Sequence, residues 1–179
     1  MTRTARANRH LVLVLGGARS GKSRYAEQLI EAQSAPYAYV ATAQAFDTEM
    51  AQRISLHRDR RDARWLTYDA PFDAAAQLDA LPAGQPVLLD CLTLWLTNHL
   101  LAESDLDRAC LELCAALSRR DGLMVVVSNE VGLGIVPDNA LARRFRDAAG
   151  RLNQAVAQAA DDVVFMVAGL PMPVKTAPR

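Results

Sequence analysis

Leu11-Val-Leu-Val-Leu-Gly-Gly-Ala-Arg-Ser-Gly-Lys-Ser23 joins five consecutive aliphatic residues to a glycine-rich turn. An unbroken aliphatic run predicts a strand buried on both faces, as in a parallel sheet. The turn has the spacing Gly16-x-x-x-x-Gly21-Lys22-Ser23, and Arg24 to Ala32 predicts a helix behind it. Gly16 and Gly21 let backbone N–H groups face inward where a side chain would block an anion, and the helix adds its positive end. Lys22 can reach the β- and γ-phosphates of a nucleotide, and the Ser23 hydroxyl can ligate Mg²⁺. The pattern is that of a phosphate-binding P-loop. Lysine is scarce in this chain, yet Lys22 stands where a slim ammonium enters a ring of amides and a planar guanidinium would not.

Outward from the loop, strands and helices alternate. Tyr37 to Ala41 predicts a second strand, with Ala41-Thr-Ala43 at its C-terminal end, the edge where open parallel sheets bind ligands. A helix is expected from Glu49 to about Arg60, capped by Asp47 or Thr48, with Met50 and Ile54 as core anchors. It carries Arg53, His57, Arg58, Arg60 and Arg61, and helical spacing puts 53, 57, 60 and 61 on one face. Neighbouring positive charge keeps an imidazole neutral and nucleophilic, and the arginines could hold phosphate oxygens. A solvated basic face is the alternative reading. Trp65 to Thr67 predicts a short strand, Tyr68 to Pro71 a turn, and Phe72 to Leu81 a helix. Pro86 to Asp90 is a further strand whose closing carboxylate has the Walker B form, placing Asp90 beside Ser23 as a metal support.

Leu92 to Leu101 predicts a buried helix in which His99 is an ordinary C-terminal residue. Ser104 is the expected cap of a helix reaching Arg120, ahead of a strand over Leu123 to Ser128. Asn129 to Pro137 is a loop, and Asp138 is the expected cap of a helix through about Ala160. That helix places Leu141, Phe145, Ala148, Ala149 and Leu152 at core spacing, with Arg143, Arg144, Arg146 and Arg151 solvated. Val163 to Ala168 is the last expected strand, and Gly169-Leu-Pro-Met-Pro173 ends the fold. The pattern is α/β: a P-loop NTPase core with a mainly parallel sheet and helices on both faces.

Composition bounds the function. At 51% hydrophobic and 22% charged, 179 residues suit one globular domain. A formal net charge of +0 gives no field drawing the chain to nucleic acid or an anionic membrane. No apolar run approaches the ~20 residues of a membrane span. The first ten residues lack the apolar core of a secretory signal and read as a flexible basic tail, 1–10, ahead of a single domain, 11–179. Cys91, Cys110 and Cys114 have no C-x-x-C spacing and suit small buried residues in a reducing cytoplasm, although 110 and 114 could face one another on a helix.

Several stretches together resemble one family: Gly16 to Ser23, Tyr39-Val-Ala-Thr-Ala43, His57-Arg-Asp-Arg-Arg61, Leu88-Leu-Asp-Cys-Leu-Thr93, Ser128 to Pro137 and Ala142 to Gln154. They are similar, in order, to the bifunctional adenosylcobinamide kinase / adenosylcobinamide-phosphate guanylyltransferases of cobalamin biosynthesis. The resemblance implies a RecA-like fold, a homotrimer, and two reactions. A γ-phosphate from ATP or GTP passes to adenosylcobinamide, and GMP from GTP is then joined to that phosphate through a guanylylated histidine, matched by His57. It implies nucleotide contacts at Gly16, Gly17, Ala18, Arg19, Ser20, Gly21, Lys22, Ser23, Ala41, Thr42, Ala43, Arg58, Asp59, Arg60, Arg61, Asp69 and Asp90. Ser23 and Asp90 are the expected Mg²⁺ residues, and Lys22 and His57 the catalytic pair. Asp69 departs from the family pattern, in which a glutamate is expected. Two rival readings stay open at this point: a P-loop kinase of another small molecule, and a non-catalytic nucleotide-dependent switch.

Overall fold

A computed structural model describes residues 9–45, 47–59 and 61–177, with Met50, Arg53, Leu56 and His57 described by backbone alone. In chain order the elements are β1 (Arg9–Gly16), α1 (Lys22–Glu31), β2 (Tyr37–Ala41), α2 (Thr48–Asp59), β3 (Trp65–Asp69), α3 (Ala74–Ala80) and β4 (Val87–Asp90). There follow α4 (Leu92–Leu101), α5 (Leu106–Arg119), β5 (Gly122–Val127), α6 (Ala140–Ala159), β6 (Asp162–Val167) and β7 (Leu170–Lys175).

The strands form a single sheet of order β3-β2-β4-β5-β1-β6-β7, parallel except for β7. The aliphatic run of β1 lies near its centre, paired with β5 on one side and β6 on the other. Side chains alternate across it. Leu11 and Leu13, with Val40, Leu89 and Val126, pack against α3, α4, α5 and α6. Val12 and Val14, with Tyr37, Tyr39, Leu88 and Val127, pack on the opposite face against Ala26 and Ile30 of α1. Burial on both faces is why these strands read as continuous apolar runs.

The structure departs from the sequence expectations at several ends. Arg9 and His10, assigned to the basic tail, are strand residues. Arg9 donates to Ala159 O and to Asp161, and His10 Nε2 lies 2.6 Å from Asp162 Oδ2. The turn expected at Tyr68 does not form, because β3 pairs with β2 through Ala41↔Asp69. Asp105, not Ser104, caps α5 by accepting from Arg108 N at 3.1 Å. Asn139, not Asp138, caps α6 by accepting from Ala142 N at 3.1 Å. Leu141, expected in the core, lies in the first turn of α6 and is exposed.

The largest departure is β7. Ala168 and Gly169 both have positive φ, +50° and +82°, giving a two-residue hairpin that returns the chain antiparallel to β6. Pro171 and Pro173 argue against a strand in the middle of a sheet, but an edge strand tolerates them. Lys175 then donates to Ala157 O, Gln158 O and Ala160 O, closing the C-terminal end of α6.

Candidate nucleotide site

The glycine-rich turn lies at the C-terminal end of β1 and opens α1. Glycine is required at its first position: a Cβ on Gly16 would lie 2.7 Å from Met166 O and from Ser20 Oγ. Gly21, the N-cap of α1, has φ +96°, and its added Cβ would meet Gly169 Cα at 3.2 Å. The β6–β7 hairpin therefore braces the loop, and Gly169 N donates to Ser20 O at 3.0 Å. Lys22 is buried, and its ammonium reaches back into the loop to donate to Gly17 O at 2.5 Å. The helix begins at Lys22, two residues earlier than expected, so Lys22 and Ser23 both stand in its first turn.

Strand register brings the remaining residues to the same edge. Ala41 pairs with Asp69 on one side and Asp90 on the other, while Asp90 pairs with Val127 and Val127 with Val14. Thr42 is fully buried. Its N–H and hydroxyl donate to Asp90 O, and its Oγ1 accepts from Cys91 N at 2.8 Å. Ala43 lies half-buried beyond it. Asp90 Oδ2 accepts from the Tyr39 hydroxyl at 2.6 Å. Burial, with the Asp90 charge beside it, pushes the Tyr39 pKa strongly up, so the phenol remains a donor.

The expected basic face divides. Arg58 is exposed and pairs with the exposed Asp69 at 3.8 Å, a weak contact in water. Asp59 lies on the outer surface of α2, accepting from Ser55 Oγ at 3.4 Å. Arg61 is beyond the end of α2, so it does not share the helical face expected for it. It lies over the Tyr39 ring, Cζ 3.5 Å from the centroid, with Nε and Nη1 buried and without hydrogen-bond partners. His57 is in the last turns of α2 by its backbone, and Arg60 lies outside the described residues.

Sequence reasoning missed the buried polar residues that tie this edge together. Asn98 Nδ2 donates to Thr42 O and Pro71 O. Asn129 Nδ2 donates to Thr93 Oγ1 at 2.7 Å, and Asn153 Nδ2 donates to Asn129 O. Ser128 Oγ donates to Asn153 Oδ1 at 2.7 Å, and Glu130 N to Gly16 O at 3.1 Å. The available signal was an asparagine inside each of two apolar helical patterns, at 98 and 153. His99, read as an ordinary helix end, is buried between Phe72 and Trp95 with Nε2 3.2 Å from Phe72 O. Cys91 is buried, and Cys110 and Cys114 are half-buried; all three are free thiols.

This edge carries features that suit a polyanion: a glycine-rich turn opening a helix, a buried lysine in the first turn of that helix, and a guanidinium with unpartnered donors. Among the described residues no group of three His, Cys, Asp or Glu could hold a metal. A donor set of one carboxylate and one hydroxyl, Asp90 and Ser23, fits an ion that keeps water and phosphate oxygens as its other ligands, as Mg²⁺ does.

A mainly parallel sheet with a P-loop after its central strand defines a P-loop NTPase fold. The fold is similar to that of a protein from Pyrococcus horikoshii OT3, with a TM-score of 0.50 at 10% identity over 96% of this chain and 88% of that one. It is also similar to a prototypical ATPase of a bacterial type III secretion system, with a TM-score of 0.52 at 12% identity over 87% of this chain and 50% of the other. Residues 12–174 match the family model described as cobinamide kinase / cobinamide phosphate guanyltransferase. The bifunctional adenosylcobalamin biosynthesis protein CobP of Pseudomonas aeruginosa is 50% identical over 169 residues, 93% of this chain and 98% of that one. CobU of Salmonella typhimurium is 44% identical, covering 92% and 99%, and CobU of Escherichia coli 41%, covering 92% and 99%. The chain belongs to the cobinamide kinase / cobinamide phosphate guanyltransferase family.

Proposed function

We propose that this protein phosphorylates adenosylcobinamide with ATP or GTP and then converts the product to adenosylcobinamide-GDP with GTP, both reactions residing in one domain. The observation that carries this reading is the family match over residues 12–174, which spans the P-loop, the His57 stretch and the Asp90 strand.

In the kinase step the P-loop from Gly16 to Ser23, with Ala41, Thr42 and Ala43, seats the triphosphate. Lys22 holds the transferring phosphoryl oxygens as charge moves onto them. Mg²⁺, when bound by Ser23 and Asp90, neutralises phosphate charge. The substrate hydroxyl oxygen attacks the γ-phosphorus, its P–O bond forms as the bond to the β-phosphate oxygen breaks, and the hydroxyl proton passes to solvent water. In the second step a ring nitrogen of His57 attacks the α-phosphorus of GTP, forming a P–N bond as pyrophosphate leaves. A phosphate oxygen of adenosylcobinamide phosphate then attacks the same phosphorus and releases the imidazole. Arg58, Arg60 and Arg61 stabilise the phosphate oxygens, with Asp59 and Asp69 as nucleotide contacts alongside.

A homotrimer in the cytoplasm completes the reading. Association between copies is supported by exposed apolar side chains, among them Leu133, Ile135 and Val136 in the loop after β5 and Leu170, Met172 and Val174 on β7. Among the described residues no helix is long and apolar enough to cross a membrane.

Labelling with α-³²P GTP and Mg²⁺ tests the covalent step. The wild type is expected to form an acid-labile, alkali-stable adduct, while His57→Ala loses both the adduct and guanylyl transfer and keeps kinase turnover. Full-yield labelling of His57→Ala would remove the assignment.

A further inference from the structure

Tyr39 touches both the closing carboxylate of β4 and a guanidinium from beyond α2. Its ring stands on the α1 face of the sheet, as do Leu88 and Val127, and the strand period of two puts Asp90 on that face with Leu88. The Tyr39 hydroxyl donates to Asp90 Oδ2 at 2.6 Å, and the other face of the contact is the Arg61 guanidinium, 3.5 Å over the ring. Trp65 packs edge-on at 6.2 Å between ring centroids and fixes the phenol from the side.

Two features separate this from a satisfied core tyrosine. Arg61 Nε and Nη1 are buried without hydrogen-bond partners, which is costly, and an acceptor brought from outside would relieve it. The same phenol commits one oxygen of the Asp90 carboxylate through its hydroxyl, which restricts how that carboxylate can turn. We propose that Tyr39 is a positioning residue that sets two groups at once: Asp90 for the metal, through its hydroxyl, and Arg61 for a nucleotide phosphate, through its ring. The pairing links the segment carrying His57 to the strand carrying Asp90. It rests on the nucleotide reading given above.

The two halves of the phenol can be removed separately. Tyr39→Phe keeps the ring and frees Asp90; Tyr39→Leu removes both. Binding of a fluorescent GTP analogue is measured by titration in EDTA and then across a Mg²⁺ series, with thermal melting to confirm folding. Tyr39→Phe is expected to bind within about twofold of wild type in EDTA and to need roughly tenfold more Mg²⁺ for half-maximal tightening, the loss expected for one hydrogen bond to a charged group. Tyr39→Leu is expected to lose a further severalfold in EDTA, as a removed cation–π contact should. A Mg²⁺ dependence of Tyr39→Phe equal to wild type overturns the proposal, and this arm stands even if Tyr39→Leu does not fold. Lys22→Ala is run beside them: wild-type affinity there would overturn the nucleotide reading itself, which no result at position 39 does.

Discussion

Lys22 is buried with its ammonium turned into the loop that it would share with a triphosphate. Because it acts as a point charge in a ring of amides, Lys22→Ala is expected to lower kinase kcat/KM by about a hundredfold or more, the scale of a lost charge-stabilising group. Lys22→Arg should not restore it, since the planar fork does not fit the same space. Steady-state kinetics on the three proteins decide this, and near-normal turnover in Lys22→Ala would be the contrary result. Cys110 gives a prediction of a different kind. Burial against the core pushes its thiol up to about 11 from the ordinary 9.0. The folded state thus holds this proton more tightly than the unfolded chain. That contribution is fully present below pH 9 and is lost as pH rises through 11. Denaturant melts at pH 8 and pH 10.5 should show a larger alkaline loss of stability in wild type than in Cys110→Ala. Equal losses would mean the thiol is not held.

At the scale of elements, caps decide where helices begin, and the chain offers adjacent choices. Asp138 and Asn139 are both good caps by residue type, but only Asn139 bonds the first turn of α6, at Ala142 N. Asn139→Ala should therefore cost about 1 kcal/mol, whereas Asp138→Ala should be close to neutral; urea melts of the pair separate them. The helix itself docks through Ala148, Ala149, Leu152 and Val156, and Asn153 reaches the loop after β5 from the same side. A long helix seated on the core thus holds a loop of the candidate site. The same logic applies to α3, whose C-terminal carbonyls are closed by the buried Arg120 through Leu78 O and Leu81 O.

For the whole molecule, the sheet is closed by helices on both faces and ends at β7 with apolar side chains left in solvent. Ile135 is 97% exposed and Leu133 83%, on a loop whose neighbour Glu130 bonds to Gly16 O at the P-loop. If these side chains meet other copies of the chain, Ile135→Glu should shift the molecular mass measured by light scattering from trimer toward monomer while leaving the circular dichroism spectrum unchanged. An unchanged trimer mass for the variant would place the contact elsewhere, and a monomeric wild type would overturn the trimer itself.

Local chemistry was enough to determine the central strand, the P-loop, the alternation of strands and helices, and the carboxylate closing β4. Each depends on residues close together in the chain: an aliphatic run, glycines at a fixed spacing, a period of two or 3.6. The strand β7 was hidden because its prolines forbid it in a central position and permit it at an edge, and edge position is a property of the assembled sheet. The caps at 105 and 139 were one residue from those expected, since neighbouring polar residues compete and packing chooses between them. Arg61 read as one more charge on a helical face. Only the end of α2 at Asp59 and the register of β2 beside β4 turned it onto Tyr39, and Tyr39 onto Asp90. These partners stand 22 and 51 residues from Tyr39 in sequence, and no local pattern encodes a contact that strand pairing creates.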